Sequence, residues 1–305
     1  MKIAVFDIGT NSIHLLLAET HPDLSFEILR HQRDTTRLGD GSFETRMLSA
    51  KKMRQALKVI ENFYKKAKKG RADETVAVAT SAVRDAKNKA QFLRAVFKKT
   101  GIKVRVISGR EEARLIFLGA MSYVDLKGKK ALVLDVGGGS AELIVGDDKK
   151  ISYAQSFKLG VARLTDHFIK NDPPCSHELA GLESFLKRRM TPAIKKIKRF
   201  KFSSLIGTSG TLFNLASMLH GKRCREFSIT ELEKLHERIK HMSQKERLKL
   251  PGLSRKRADL IVAGSLFVVT LMRMLSLKKM VLSERAIREG MILDFMVKSR
   301  HATFR

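Results

Sequence analysis

Nine residues near the start of the chain, Asp7-Ile8-Gly9-Thr10-Asn11-Ser12-Ile13-His14-Leu15, have a counterpart half a chain later in Asp135-Val136-Gly137-Gly138-Gly139-Ser140-Ala141-Glu142-Leu143. Aspartate, glycine, serine and leucine recur at the same offsets. Each block is a turn between apolar, β-prone runs, 2–8 with 13–19 and 130–136 with 141–146. A third strand follows in each half (26–31; 151–157). The first half then predicts a helix capped by Ser49, a strand at 74–79, a helix at 88–99, a strand at 103–107 and a helix from Gly109. The second half predicts helices at 161–169 and 178–197, a strand at 202–206 and a helix from Ser209. Helices at 230–241 and 255–275, a strand at 279–282 and a last helix from Ala286 complete it. A period this long is no solenoid repeat, so the sequence predicts an α/β fold made of a duplicated domain. Two such halves facing each other would set both turns at one interdomain cleft.

The turns carry the first chemistry. A glycine-rich turn lets backbone N–H groups converge on an anion, and Thr10, Ser12 and Ser140 add hydroxyl donors. Each turn also opens on an aspartate. A carboxylate beside a phosphate is unfavourable unless a cation lies between them, so Asp7 and Asp135 imply Mg²⁺ or another divalent cation. A third loop, Gly207-Thr208-Ser209-Gly210-Thr211, joins a strand to a helix N-terminus, which is either an anion site or a helix that Ser209 merely caps.

Sixty Lys and Arg stand against 31 Asp and Glu, a formal charge of +29. That field favours polyanions without choosing among nucleic acid, polyphosphate, anionic lipid and phosphorylated metabolites. The basic runs 65–71, 187–189 with 195–201, and 221–225 contain few aromatic residues, and the chain has no Trp, which argues against a base-stacking platform. Each run reads as a solvated face or as a polyanion track. The two cysteines, Cys175 and Cys224, read as ordinary thiols of a reduced, cytoplasmic protein. No histidine spacing fits a zinc site, no signal peptide is expected, and the apolar stretch 260–272 is short of the about 20 residues of a membrane span.

Three side chains remain open between structural and chemical roles. Glu112 lies in the first turn of the helix after Ser108, about 100° from Glu111, whose spacing to Ser108 suits a capping box. It is either a solvated helix residue or a group that orients water. Arg84, in Thr80-Ser81-Ala82-Val83-Arg84-Asp85, and Arg37, in Thr36-Arg37-Leu38-Gly39, are each a phosphate clamp or a surface ion pair.

Six segments together resemble the Ppx/GppA phosphatases, which are exopolyphosphatases and guanosine pentaphosphate phosphohydrolases. They are Asp7 to Ser12, Thr80 to Asp85, Ile107 to Leu115, Asp135 to Ser140, Gly207 to Thr211, and Ala286-Ile287-Arg288-Glu289-Gly290. The resemblance implies an actin-like, ribonuclease-H-type fold in each half, with domain I at 1–124 plus a returning helix at about 287–300 and domain II at 125–286. It implies Mg²⁺ dependence and often a homodimer. It assigns water activation to Glu112, metal binding to Asp135 and Glu142 with Asp7 opposite, and phosphate contact to Arg84. On the same footing Thr10, Asn11, Ser12, Arg37, Gly137, Gly138, Gly139, Ser140, Ser209, Gly210 and Thr211 are expected to bind phosphate. The implied reaction is hydrolysis of the terminal phosphate of inorganic polyphosphate, with guanosine pentaphosphate (pppGpp) as the alternative substrate. Longer members carry a further helical region, which a chain ending at Arg305 is expected to manage without. Arg285, in Ser283-Glu284-Arg285-Ala286, departs from the family pattern and is expected to alter how a nucleoside fits. An actin-like ATPase or sugar-kinase relative, and a non-catalytic polyanion binder, are the competing classes.

Overall fold

The computed structural model describes residues 1–221 and 223–303, and the chain separates into two compact units, 1–122 with 285–305 and 123–284. Elements are numbered along the chain. The first unit contains β1 (Lys2–Ile8), β2 (Ile13–Thr20), β3 (Phe26–Asp34), α1 (Ala50–Lys69), β4 (Glu74–Ala79), α2 (Ser81–Asp85), α3 (Lys89–Thr100), β5 (Arg105–Val106) and α4 (Gly109–Met121). The second contains β6 (Ala131–Val136), β7 (Ala141–Gly146), β8 (Ile151–Phe157), α5 (Val161–Phe168), α6 (Ser176–Ile197), β9 (Ser204–Thr208), α7 (Gly210–His220) and β10 (Glu226–Ser228). It continues through α8 (Ile229–Lys240), α9 (Gln244–Arg247), α10 (Ile261–Leu275) and β11 (Lys279–Leu282); α11 (Ile287–Thr303) returns to the first unit.

The duplication is visible in the sheets. Unit 1 has the order β3-β2-β1-β4-β5, and unit 2 has β10-β11-β9-β6-β7-β8, so β3-β2-β1-β4 and β8-β7-β6-β9 match strand for strand. In both, the first two strands are antiparallel and the first pairs in parallel with the strand after the helix. Central strands read as continuous apolar runs because both faces are covered. Ile3, Ala4, Val5 and Phe6 are all fully buried, whereas β3 at the edge is polar and exposed.

Helices cover both faces of the first sheet. Ser49 caps α1 by accepting from the Lys52 amide at 3.2 Å, and Met53, Ala56, Ile60, Phe63 and Ala67 form its buried stripe. That stripe joins Phe92 and Val96 of α3 against one side of the sheet. On the other side Leu115 of α4 meets Met291 and Ile292 of α11. The two helices approach to backbone contact: a Cβ on Gly290 would lie 1.9 Å from the Leu115 carbonyl oxygen. Arg285, just before α11, donates to the Ser122 carbonyl at 3.0 Å and lies over the Phe26 ring at 4.8 Å. No helix of the described residues is long and apolar enough to cross a membrane.

Some expected elements end elsewhere. The strand expected at 103–107 has only two residues, Arg105 and Val106, because Ile107 already leads into the Ser108 cap of α4. The strand expected at 202–206 runs over Ser204–Thr208, with Ser204 pairing Ala131 and Thr208 pairing Asp135. The helix expected at 255–275 begins at Ile261 after a 3₁₀ turn at Arg255–Arg257. There Arg247 Nε takes the Ala258 carbonyl at 2.9 Å, which withdraws it from a helical ladder. The short α2, α9 and β10 carry too little periodicity to announce themselves.

Candidate active site

In unit 1 the Gly9 amide donates to the Ser12 carbonyl at 3.0 Å; in unit 2 the Gly137 amide donates to the Ser140 carbonyl at the same 3.0 Å. The duplicated residues therefore close the same turn twice. What lies against each turn decides which way its amides face. In unit 1 the carbonyls of Thr10 and Asn11 accept from the amides of Gly39 (3.0 Å) and Arg37 (2.9 Å). In unit 2 the carbonyls of Gly137 and Gly138 accept from Val161 and Ala162, both at 2.9 Å, at the start of α5. The Gly139 carbonyl accepts from Arg163 Nε at 3.0 Å. With the carbonyls taken on one side, the intervening amides are left for an anion on the other.

The approach in unit 2 depends on Gly160, where a Cβ would lie 2.3 Å from the Gly139 nitrogen and 2.4 Å from the Gly138 carbonyl carbon. In unit 1, Thr10 Oγ1 accepts from the Ala82 amide at 3.1 Å, tying the first turn to the start of α2. Asn11 Nδ2 and Oδ1, Ser81 Oγ and Ser209 Oγ are buried with no partner. Such atoms cost free energy unless something binds them, and these four lie in or beside the first and third loops. Ser209 does not cap α7: it has φ 94°, and its side chain makes no capping bond. Thr211 Oγ1 instead donates to the Val136 carbonyl at 3.1 Å and accepts from Arg257 Nη1 at 3.0 Å.

Two of the expected residues meet directly. Glu112 is buried on the first turn of α4, and Arg84 Nη1 donates to its Oε2 at 2.7 Å while also donating to the Ile107 carbonyl at 3.0 Å. Glu111, expected to complete a capping box, instead accepts from Arg114 through both oxygens at 2.9 and 3.0 Å. That guanidinium holds the Glu111 carboxyl below the usual range. Glu111 is thus held at the partly exposed junction of α4 and α11, since Arg114 also reaches Asp294 of α11 at 2.7 Å. Arg37 is placed at the first turn by its own backbone, in the left-handed conformation at φ 52°.

The carboxylates expected at a metal fit a hard cation in part. Asp135 and Glu142 face each other across β6 and β7, and Glu142 is buried. Asp135 Oδ2 accepts from Thr208 Oγ1 at 2.5 Å, and Glu142 Oε1 from Ser156 Oγ at 2.7 Å. Two neighbouring carboxylates with all-oxygen surroundings suit Mg²⁺, which takes one or two carboxylates and fills its remaining positions with water and phosphate oxygens. No cluster of three acidic, His or Cys side chains forms a full cage among the described residues. Asp7 holds the equivalent place in unit 1, where the residue opposite it is His14.

His14 belongs to a cationic group that the motifs did not single out. Arg288 Nη1 donates to His14 Nδ1 at 2.7 Å and His31 Nε2 at 2.9 Å, and the two imidazoles stack with centroids 5.4 Å apart. Arg33 Nε donates to Ser12 Oγ at 3.1 Å. Loss of hydration, then the charges of Arg288 and Arg33, push His31 down to about 4. Adjacent β-strand register places His14 beside Arg33, so positive groups gather where the first phosphate loop begins β2. Alternation along β3 was the available signal, and it is hidden because that strand is exposed.

The chain matches the model of the Ppx/GppA phosphatase family over residues 17–299. It is 32% identical over 301 residues to exopolyphosphatase 1 of Mycobacterium tuberculosis, covering 96% of this chain and 88% of that protein. Among solved structures it resembles an exopolyphosphatase of Cytophaga hutchinsonii, with a TM-score of 0.91, 28% identity and 98% of both chains covered. It also resembles the Ppx/GppA family member of Aquifex aeolicus, with a TM-score of 0.82, 27% identity and 99% of both chains covered. The fold is the duplicated actin-like α/β fold of these enzymes. With the two matched turns and the Arg84–Glu112 pair in place, the chain belongs to the Ppx/GppA phosphatase family and is a phosphatase hydrolase.

Proposed function

We propose that this enzyme is an exopolyphosphatase, releasing the terminal phosphate of inorganic polyphosphate with Mg²⁺ as its cofactor. The observation that carries the reading is Glu112, buried and oriented by Arg84 at 2.7 Å, in the unit that also holds the Gly9–Ser12 turn. The name borne by the M. tuberculosis relative supports the same substrate. Glu112 accepts a proton from an attacking water, and Arg84 fixes the carboxylate's orientation. In unit 1 the backbone amides at Thr10–Asn11 and the Asn11 side-chain amide bind phosphate oxygens, and in unit 2 the amides at Gly138–Gly139 and the Ser209 hydroxyl do the same. Asp135 and Glu142 would hold the Mg²⁺ in unit 2, with Asp7 as the corresponding carboxylate of unit 1, and the ion would supply charge neutralisation to the phosphate tail. The test is phosphate release from long-chain polyphosphate and from pppGpp, side by side, with Mg²⁺ and with EDTA. Mg²⁺-dependent release from polyphosphate is expected. Preference for pppGpp makes the enzyme an alarmone hydrolase instead, and release that survives EDTA removes the metal from the reading.

A further inference from the structure

The phosphate turn of unit 2 lies at the C-terminal end of β6; the opposite end of that strand is ringed by positive charge. Lys129 and Lys130 precede β6, Lys149 and Lys150 lie in the turn between β7 and β8, and Arg199 and Lys201 precede β9. Sheet pairing brings these segments together: Ala131 pairs with Gly146 and with Ser204, and the Ser203 amide donates to the Lys130 carbonyl at 2.9 Å. Between the first and third segments lies an open pocket of about 500 Å³ bordered by Lys129, Lys130, Arg199, Phe200 and Lys201. None of the six cations forms an ion pair among the described residues, and five of them are exposed. Two of the nearby carboxylates are committed to their own turns, and Asp148 is exposed in the turn between β7 and β8. Asp147 accepts from the amides of Lys149 (3.1 Å) and Lys150 (2.9 Å), and Asp125 from the amide of Lys127 at 2.9 Å. The amides of Lys150 and Lys149, then the charges of Lys130 and Lys150, hold the Asp147 carboxyl below its usual range. Six cations around this strand end still outnumber the carboxylates beside them, an arrangement stabilised by a bound polyanion.

We propose that this pocket is a second binding site for the polyphosphate chain, separate from the phosphate turns. The inference rests on the proposed substrate. The aromatic groups favour polyphosphate over nucleic acid. Lys130 Nζ sits over the Phe200 ring, 5.6 Å from its centroid, and Tyr153 lies against the same ring at 6.4 Å. The ring therefore holds a cation in place instead of offering its face to a base. β6 has six residues, so the pocket and the phosphate turn are roughly 20 Å apart along the strand. A long chain can engage both, and the second contact then acts at high effective concentration; a tripolyphosphate cannot span them. The site thus confers a preference for long chains.

The test is the variant Lys129→Gln/Lys130→Gln/Arg199→Gln/Lys201→Gln in the full chain. For long-chain polyphosphate its KM should rise by about tenfold or more with kcat within about twofold, while tripolyphosphate hydrolysis stays unchanged. Binding of labelled long-chain polyphosphate, measured in a Glu112→Gln background, should weaken in parallel and lose part of its salt dependence. An unchanged long-chain affinity overturns the proposal, as does an equal loss for tripolyphosphate. Oligouridylate binding at these residues as tightly as polyphosphate of equal charge overturns the choice of ligand. If the wild-type enzyme releases no phosphate from either polymer, the proposed activity fails, while the binding arm still decides on the pocket.

Discussion

Arg84 and Glu112 are 28 residues apart in sequence and 2.7 Å apart in space, joined by a single guanidinium nitrogen that also holds the Ile107 carbonyl. One arginine thereby fixes both the carboxylate and the chain entering its helix. Glu112→Gln keeps an oxygen for Arg84 and removes the proposed base. It should lose about 10²–10⁴ in kcat with little change in melting temperature. Arg84→Ala should lose activity and, in addition, about 1–3 kcal/mol of stability, because two buried oxygens lose their donor. Paired kinetics and thermal melts check both; a Glu112→Gln enzyme with near-normal kcat would remove Glu112 from the proposed chemistry.

Asn11 offers a second test, because its side-chain amide is buried with neither atom bonded. An amide in that state is a burden on the fold, worth about 1–3 kcal/mol, that a bound phosphate would relieve. Asn11→Ala should therefore leave the melting temperature equal or higher while raising KM for polyphosphate roughly tenfold. A clear fall in melting temperature would mean that Asn11 serves the structure and not the ligand.

The features legible in the sequence are those whose chemistry is local. Gly9–Ser12 and Gly137–Ser140 announce their turns because glycine and serine settle the backbone within four residues, and the structure closes both with the same 3.0 Å bond. The strand order follows from the repeat. Glu112 could not be assigned from its own surroundings, since its partner arrives from another element and only the family resemblance pointed to its role. Ser209 read equally well as a helix cap, and its backbone at φ 94° is what excludes that. The cluster of His14, His31, Arg33 and Arg288 was invisible for a similar reason: α11 returns from 274 residues away to set Arg288 against β2. Long-range register leaves no local pattern.

Gly160 tests how far the second turn depends on close packing. With a Cβ, Gly160→Ala would place a carbon 2.3 Å from the Gly139 nitrogen, so either the turn or the start of α5 must move. The expected cost is about 1–3 kcal/mol, with a loss of tenfold or more in kcat/KM as the amides are displaced. Gly181→Ala is the control. It lies inside α6 with its nearest new neighbour, a Phe168 ring carbon, at 4.0 Å, and should stabilise by about 0.5–1 kcal/mol. Activity that survives Gly160→Ala unchanged would show that the turn tolerates displacement.

His236, far from the phosphate turns in sequence, should contribute to the acid sensitivity of the fold alongside His31. Ser265 Oγ donates its one proton to the Val262 carbonyl at 2.9 Å, so the 2.8 Å bond to His236 must be donated by Nδ1. Burial keeps the ring neutral and pushes its pKa down to about 4. An unfolded chain takes up that proton near pH 6.5, whereas the folded one resists until about 4. Between these values the unfolded state binds more protons, so stability falls as the pH falls. The loss approaches a slope of about 1.4 kcal/mol per pH unit, on the order of 3 kcal/mol in all. His236→Asn removes the titrating group and should flatten this part of the profile, at a cost in stability near neutral pH. Urea midpoints at several pH values from 7 to 4.5 measure both slopes; parallel profiles for wild type and variant would place the acid sensitivity elsewhere in the chain.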